Sequence, residues 1–125
     1  GVERKGEIED ELITSVDLFS TFLNVAGQTV QESHDSQNFL PLLSSAGAAT
    51  RSFNYTEYLT DRASQSGYTL RNITHKLIVF DNGNEALYSL ENDPYENENL
   101  LDASLTSVAQ NAYNALTTEA ARIRQ

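Results

Sequence analysis

The chain has no cysteine among its 125 residues. This absence excludes disulfides, cysteine-ligated zinc, iron–sulfur clusters and cysteine nucleophiles, and it leaves the redox compartment open. No apolar run reaches about 18 residues, so the sequence predicts no membrane span. No basic segment followed by an apolar one occurs near Gly1, so we expect any targeting signal to lie outside these residues, and we interpret Gly1 as the start of a fragment.

Positive charge is also scarce. The formal net charge is −10, and no Lys or Arg stands between Leu77 and Ala121. Nucleic acids and anionic lipids select basic surfaces, so neither is expected as a partner. We interpret the acidic residues as a solvated face that keeps the domain soluble. A calcium site is the alternative, but the D-x-D-x-D-G spacing of a calcium loop does not occur.

Few side chains are candidates for catalysis. The two histidines, His34 and His75, have no partner at metal-ligand spacing, so we predict structural or surface roles, with a general base as the alternative. The sequence has no G-x-S-x-G elbow, P-loop or glycine-rich fingerprint. The sequons at Asn54 and Asn72 would be glycosylated only in a eukaryotic secretory route, and both lie in strand-like runs. The residues alone therefore predict an α+β domain with no visible active site.

The first predicted element is a helix in the segment from Thr14 to Gly27. Thr14 or Ser15 is the expected N-cap, with Asp17 closing a capping box, and Gly27 suits the residue after the helix. The apolar residues of this helix share one Phe-rich face, and we expect the helix to pack by that face: Val16, Phe19, Phe22, Leu23 and Ala26. Residues 28–50 are predicted to be a long connection, anchored by the apolar patch at 39–43.

The rest of the chain predicts a small sheet and a second helix. Strands are expected at 52–59, 68–72, 75–80 and 86–90, with Asn82-Gly83 in a type I′ hairpin turn. The last helix is expected to begin near Asp102 or Ser104 and to bury this stripe: Leu105, Val108, Ala109, Ala112, Leu116, Ala120 and Ile123. The predicted fold is one α+β domain over residues 1–125. It is a small antiparallel sheet of three to four strands with an N-terminal and a long C-terminal helix packed on it.

The run EALYSLENDPYENENLL, from Glu85 to Leu101, carries the most information. A half-buried strand is stopped at Asp93-Pro94, because Pro94 has no N–H for a ladder. The run resembles the closing segment of sulfatases of the alkaline-phosphatase superfamily, which reads roughly L-Y-x-L-x-x-D-P-x-E-x-x-N-L. The matching positions are Leu87, Tyr88, Asp93, Pro94, Glu96, Asn99 and Leu100.

Three earlier stretches are similar to the same family and occur in the family's order. Residues 15–27 resemble its V-D-L-x-P-T-L-L-x-L-A-G helix, with Asp17, Thr21 and Gly27 matching and Ser20 in place of the usual proline. Residues 38–43 resemble S-L-x-P-L-L. Residues 71–80 resemble the R-x-x-x-x-K-L-I strand through Lys76. Together with the closing segment, these stretches extend over residues 12–101.

The resemblance implies that the chemistry lies outside this chain. The family's nucleophile is a formylglycine made in a C/S-x-P-S/A-x-R motif beside a calcium ion, and no position here matches that motif or the calcium ligands. No catalytic or metal residue is therefore assigned, and the residues that bind substrate are unknown. The matching residues are expected to be structural, and calcium is implied only for the parent enzyme.

The expected function is the C-terminal structural portion of a hydrolase that cleaves sulfate esters, inactive on its own. Its expected partner is the missing N-terminal catalytic domain, and the family suggests a periplasmic or secreted location. One alternative is a free-standing, non-catalytic interaction domain related to sulfatases; another is the C-terminal part of a phosphatase or phosphonate hydrolase. Loss of the catalytic domain would uncover apolar groups such as Phe19, Phe22 or Leu23, so a homodimer is expected for the isolated chain.

Overall fold

The computed structural model of the chain describes residues 3–29, 35–48 and 51–125. His34, which the sequence assigned a structural or surface role, lies outside the described residues. The chain forms two compact units, Gly1–Ser52 and Phe53–Gln125. The assignment of all 125 residues to one domain stays a prediction. No helix in the described ranges is long and apolar enough to span a membrane.

The first unit contains helix α1, Asp17–Val25, and a 3₁₀ turn at Leu40–Leu43. The helix ends as predicted, because Gly27 has a φ of 74°. The amide of Gln28 donates to the carbonyl of Leu23 at 2.9 Å, which closes the last turn as glycine-terminated helices commonly do. The predicted N-cap was wrong: Val16 holds that position, without a side-chain cap. One bond of the expected capping box still forms, from the Thr14 amide to the Asp17 carboxylate at 2.9 Å.

The face by which α1 packs also differs from the prediction. The buried residues of α1 are Asp17, Ser20 and Thr21, whereas Phe19 is 51% and Phe22 66% exposed. The prediction that the Phe-rich stripe packs within this chain was therefore wrong. The physical reason is that the side chains of Asp17, Ser20 and Thr21 bond to backbone groups of residues 36–39, and the helix must turn this face toward that segment to do so.

The second unit is a four-stranded antiparallel sheet followed by a long helix, which confirms the predicted α+β class. The strands are β1 (Asn54–Tyr58), β2 (Gly67–Arg71), β3 (His75–Phe80) and β4 (Glu85–Ser89), in the order β1-β2-β3-β4, and they are followed by a second 3₁₀ turn at Leu100–Asp102 and by α2 (Ser107–Ile123). Leu70 pairs with Leu77, and Leu77 with Leu87, so these three side chains line one face. All three are fully buried in a core with α2 residues Ala109, Leu116 and Ala120.

The β3–β4 hairpin has the predicted place but not the predicted turn type. Gly83 has a φ of 87°, while Glu96 is the only non-glycine residue with a positive φ in the described ranges, so Asn82 does not adopt the type I′ conformation. The Phe80 amide instead donates to the Asn84 carbonyl at 2.9 Å, and the Gly83 amide donates back to the Phe80 carbonyl at 2.9 Å. Three residues thus form the loop, with glycine in the left-handed position that such loops need.

Helix α2 begins later than the sequence indicated. Asp102 lies in the second 3₁₀ turn, and the helix is capped by Thr106, whose hydroxyl accepts from the Ala109 amide at 3.2 Å. The predicted stripe is buried at Ala109, Leu116 and Ala120. Val108 and Ile123 were wrongly placed in it: their exposed fractions are 67% and 37%, and they lie in the first and last turns of the helix.

Candidate functional site

The turn after β4 is held by the carboxylate of Asp93. Its Oδ2 accepts from the Asn97 amide at 2.6 Å and from the Glu98 amide at 2.9 Å, while Oδ1 accepts from the Asn97 side chain at 3.1 Å. The bond from the Glu98 amide is the largest cause that lowers the pKa of the Asp93 carboxyl below its usual value. Pro94 comes next, exposed, at a position that needs no N–H. The Asp-Pro pair therefore forms the turn, and each of the two Asp93 carboxylate oxygens accepts from an N–H group.

An ion pair joins this turn to strand β3. The ammonium nitrogen of Lys76 lies 2.9 and 2.8 Å from the two carboxylate oxygens of Glu96. Both side chains are partly buried, at 23% and 30% exposure. Glu96 has a φ of 59°, a conformation that costs a non-glycine residue roughly 1–2 kcal/mol. The bidentate contact with Lys76 helps to offset that cost and fixes the turn to the sheet.

Asn99 completes the turn by bonding to β4. Its Oδ1 accepts from the Leu87 amide at 2.9 Å and from the Leu101 amide at 3.1 Å. Its Nδ2 donates to the Glu85 carbonyl at 3.4 Å and to the Asp102 carboxylate at 3.1 Å. The side-chain amide of Asn99 therefore bonds to the outer edge of β4 in the way that the backbone of a neighbouring strand would.

The remaining residues of the closing motif support this arrangement from the sheet. Leu87 is fully buried, and Leu100 packs against the same core. Tyr88 lies opposite Lys76 in the β3–β4 register and is half-buried. The structure thus brings the motif residues of the second unit together in the turn after β4 and in the two strands beside it, and the structural role expected for them stays a prediction.

A second polar cluster surrounds Asp17 in the first unit. The carboxylate is fully buried and accepts from the Arg51 Nε at 3.0 Å, the Gln37 amide at 2.8 Å and the Thr14 amide at 2.9 Å. Burial alone would raise the pKa of the Asp17 carboxyl, but the Arg51 guanidinium and the two amides outweigh it and lower the pKa. The buried charge is therefore paired and hydrogen-bonded.

Two hydroxyl side chains of α1 extend this cluster, which we call the Asp17 cluster. The Ser20 amide donates to the Ser36 Oγ at 2.9 Å, and the Ser20 hydroxyl donates to the Ser36 carbonyl at 2.8 Å. The Thr21 hydroxyl donates to the Asp17 carbonyl at 2.8 Å and accepts from the Phe39 amide at 3.1 Å. Asp17 and Thr21, which matched the family pattern, thus hold residues 36–39 against α1.

Several residues that shape these clusters carried no signal in the sequence. Arg51 and Ser36 are distant from Asp17 and Ser20 along the chain and belong to no motif. The Tyr113 hydroxyl on α2 donates to the Glu85 carboxylate at 2.5 Å, which raises the pKa of the Tyr113 hydroxyl. The sequence predicted no bond between Tyr113 and Glu85, because a pairing between a helix and a strand leaves no local pattern in the sequence.

His75 is a buried residue at the start of β3. It is 7% exposed, and its Nδ1 lies 2.9 Å from the Thr74 hydroxyl. Burial lowers the pKa of the His75 imidazole, and the nearby Glu91 carboxylate opposes that shift only in part. In the described ranges no carboxylate bonds to the ring, and the role of His75 stays a prediction.

The described residues do not offer a calcium site. No group of three His, Cys, Asp or Glu side chains in the described ranges is arranged to hold a metal ion. Calcium takes six to eight oxygen ligands, whereas the Asp93 carboxylate in the turn after β4 accepts from two backbone amides. The calcium that the resemblance implies therefore finds no fitting residues in this part of the chain.

Solved structures of hydrolases share this fold. The chain is similar to BT4656, whose structure is described in complex with its substrate D-glucosamine-2-N,6-O-disulfate, with 26% identity and a TM-score of 0.69 over 82% of this chain and 23% of that chain. A putative sulfatase from Bacteroides thetaiotaomicron has 21% identity and a TM-score of 0.68, with the same two coverages. A phosphonate monoester hydrolase of Agrobacterium radiobacter has 21% identity and a TM-score of 0.62, over 85% of this chain and 24% of that one.

The family comparison covers almost the whole chain. No curated protein matches the chain significantly. The chain spans about a quarter of the length of the solved relatives named above. The family model of N-sulphoglucosamine sulphohydrolase, C-terminal, matches residues 1–123. The chain therefore belongs to the family of N-sulphoglucosamine sulphohydrolase C-terminal domains, within the sulfatases of the alkaline-phosphatase superfamily.

Proposed function

We propose that this chain is the C-terminal part of a hydrolase that cleaves sulfate esters, and that the catalytic groups lie in the part of the protein that precedes it. The observation that carries this proposal is the family match over residues 1–123, combined with coverage of only 23% of the BT4656 chain.

The proposed role of the chain is structural. The Lys76–Glu96 pair and the bonds of Asn99 make the turn after β4 rigid, and the Asp17 cluster does the same for residues 36–39. Rigid loops of this kind are suited to supporting a neighbouring active site, because catalysis depends on groups held in place before the reaction. The chain alone is accordingly inactive in this proposal.

Two further features of the parent enzyme belong to the proposal. In this proposal the parent enzyme binds calcium through residues of the preceding part, as the resemblance to sulfatases implies. The parent protein resides in the periplasm or is secreted, as the resemblance to sulfatases suggests.

The second candidate is a phosphonate monoester hydrolase. The observation in its favour is the structural similarity to the Agrobacterium radiobacter enzyme, at a TM-score of 0.62. Sulfate and phosphonate monoesters are both tetrahedral anions, so the shared fold does not distinguish the two reactions. The choice between the two reactions therefore rests on the preceding part of the protein. A third reading, a free-standing interaction domain, requires that no catalytic part precede the chain in the gene.

A substrate panel tests these proposals on the full-length protein. The substrates are an aryl sulfate, glucosamine N-sulfate, glucosamine 6-O-sulfate, D-glucosamine-2-N,6-O-disulfate and an aryl phosphonate monoester. We expect the full-length protein to release sulfate, to lose that activity on calcium chelation and to regain it when calcium is restored. The isolated chain should give only background release. Preference for the phosphonate would favour the second candidate. Sulfate release that co-purifies with the isolated chain would contradict the proposal that the catalytic groups lie in the preceding part of the protein.

A further inference from the structure

The loop between β3 and β4 carries an Asn-Gly pair, the asparagine sequence that is most prone to spontaneous deamidation. Asn82 is the only asparagine in these 125 residues that is followed by glycine. Asp81, Asn82, Gly83 and Asn84 are all exposed, so water reaches the loop. Gly83 has no Cβ, and nothing on this residue therefore shields its amide nitrogen from the Asn82 side chain.

Two hydrogen bonds of the loop act on this reaction in opposite senses. The Asn84 amide donates to Asn82 Oδ1 at 3.0 Å. Negative charge develops on that oxygen when the side-chain carbon Cγ is attacked, so this donor favours the attack. The Gly83 amide donates to the Phe80 carbonyl at 2.9 Å. The Gly83 nitrogen must lose this proton before it can attack, so the reaction requires that the bond to Phe80 open first.

We propose that Asn82 is a site of spontaneous deamidation and that opening of the bond between Gly83 and Phe80 governs its rate. Solvent hydroxide removes the Gly83 amide proton, and the nitrogen lone pair then forms a bond to Asn82 Cγ. The bond from Cγ to Nδ2 breaks, Nδ2 takes a proton from water and leaves as ammonia, and a five-membered succinimide ring remains. Water then opens the ring at either carbonyl carbon, which gives aspartate or isoaspartate. The net reaction exchanges ammonia for water, and it depends on no substrate or catalytic group of the proposed function.

The two products affect the hairpin differently. Aspartate keeps the length of the main chain and keeps an oxygen that accepts from the Asn84 amide, as Asn82 Oδ1 does. Isoaspartate carries the main chain through the former side chain, which adds one carbon to a three-residue loop. The two bonds that Phe80 makes across the loop then no longer fit. Strands β3 and β4 hold the core residues Leu77 and Leu87, so the isoaspartate form should lose stability while the aspartate form should not.

The test follows each asparagine of the full-length protein during incubation at mildly alkaline pH. Samples are digested at acidic pH, so that digestion adds no deamidation, and the peptides are mapped by mass spectrometry with electron-transfer fragmentation, which distinguishes isoaspartate from aspartate. Asn97 is the internal reference, because it is also exposed but is followed by Glu98. A synthetic peptide of residues 78–87 gives the rate without the folded hairpin. Asn82→Gln is the control variant, since its longer side chain would have to close a larger ring that forms more slowly.

We expect Asn82 to convert roughly tenfold or more faster than Asn97, and the signal at position 82 to disappear in Asn82→Gln. The rate at Asn82 in the folded protein should be roughly tenfold or more below the rate in the peptide, because the reaction proceeds through local opening. Hydrogen exchange of the Gly83 amide gives an independent measure of that opening, since exchange also begins with loss of the amide proton. Folding should slow exchange and deamidation by factors that agree within about threefold.

A stability measurement tests the effect on the hairpin. The isoaspartate form, separated by chromatography, should melt at a lower temperature than the unmodified protein. Asn82→Asp should melt close to the unmodified protein, because this variant adds the negative charge without lengthening the main chain.

Three results would overturn the proposal. Conversion at Asn82 no faster than at Asn97 would show that Asn82 is not a preferred site. Conversion at the peptide rate, while the Gly83 amide stays protected from exchange, would show that the reaction does not require the bond to Phe80 to open. Equal melting temperatures for the isoaspartate form and Asn82→Asp would reject the effect on the hairpin. A protein that deamidates as expected but releases no sulfate would contradict the proposed function and leave this proposal intact.

Discussion

Asn99→Ala is the substitution from which we expect the clearest loss of stability. The variant removes four hydrogen bonds, of which those from the Leu87 and Leu101 amides and to the Glu85 carbonyl are partly buried. A net hydrogen bond contributes about 0.5–1.5 kcal/mol, and an amide left unsatisfied in a buried position costs about 1–3 kcal/mol. The exposed bond to Asp102 adds little. We therefore expect the free energy of unfolding to fall by about 3 kcal/mol.

The measurement is urea denaturation of the chain followed by circular dichroism at low micromolar concentration. Asn97→Ala is the matched control: it is in the same turn, and its side chain makes one exposed bond, to Asp93. We expect that control to cost less than about 1 kcal/mol. Hydrogen exchange at the Leu87 amide should quicken in Asn99→Ala alone. If the two alanine variants unfold within about 0.5 kcal/mol of each other, the proposed role of Asn99 at the edge of β4 is wrong.

Three further predictions follow from the described contacts. The folded pKa of Asp17 lies below its ordinary value of 3.8, so the stability contributed by its ionised carboxylate is present above that pH and is lost as pH falls through the folded pKa. The free energy of unfolding should therefore fall more steeply in acid for the wild type than for Asp17→Asn. Parallel curves would contradict the ion pair with Arg51. Gly83→Val should destabilise by roughly 1 kcal/mol or more, since φ is 87° there, and an unchanged urea midpoint would refute the assigned turn. Light scattering across a concentration series, at an ionic strength that screens the repulsion between chains of charge −10, should show the isolated chain forming a dimer through the exposed apolar side chains of α1; a monomeric mass throughout would remove that prediction.

The sheet was predictable because its signals are local. The strand His75–Phe80 has the bounds that its alternation indicated, and the Asn-Gly pair marked the hairpin between β3 and β4. The turn type was not predictable from that pair, since Asn82-Gly83 also fits a three-residue loop with a single residue at positive φ. The start of α2 was displaced, because Asn99 organises a 3₁₀ turn over the first residues that the helical pattern included.

The packing of α1 could not be derived from periodicity. The hydrophobic pattern identified the apolar stripe correctly but did not say whether the partner of that stripe lies within these residues. The polar face is engaged by Ser36, Gln37 and Arg51, which are 16, 20 and 34 positions away from their partners on α1. Such long-range pairings depend on the tertiary fold, and they decided the orientation of the helix.

The bonds of Asn99 have a consequence for how this sheet can grow. By pairing with Glu85 and Leu87, the side chain occupies the backbone groups that a foreign strand would need at the β4 side. The Asn99 side chain thus protects this part of the β4 edge from pairing with another chain, and Asn99→Ala would leave the Leu87 amide and the Glu85 carbonyl available to a foreign strand.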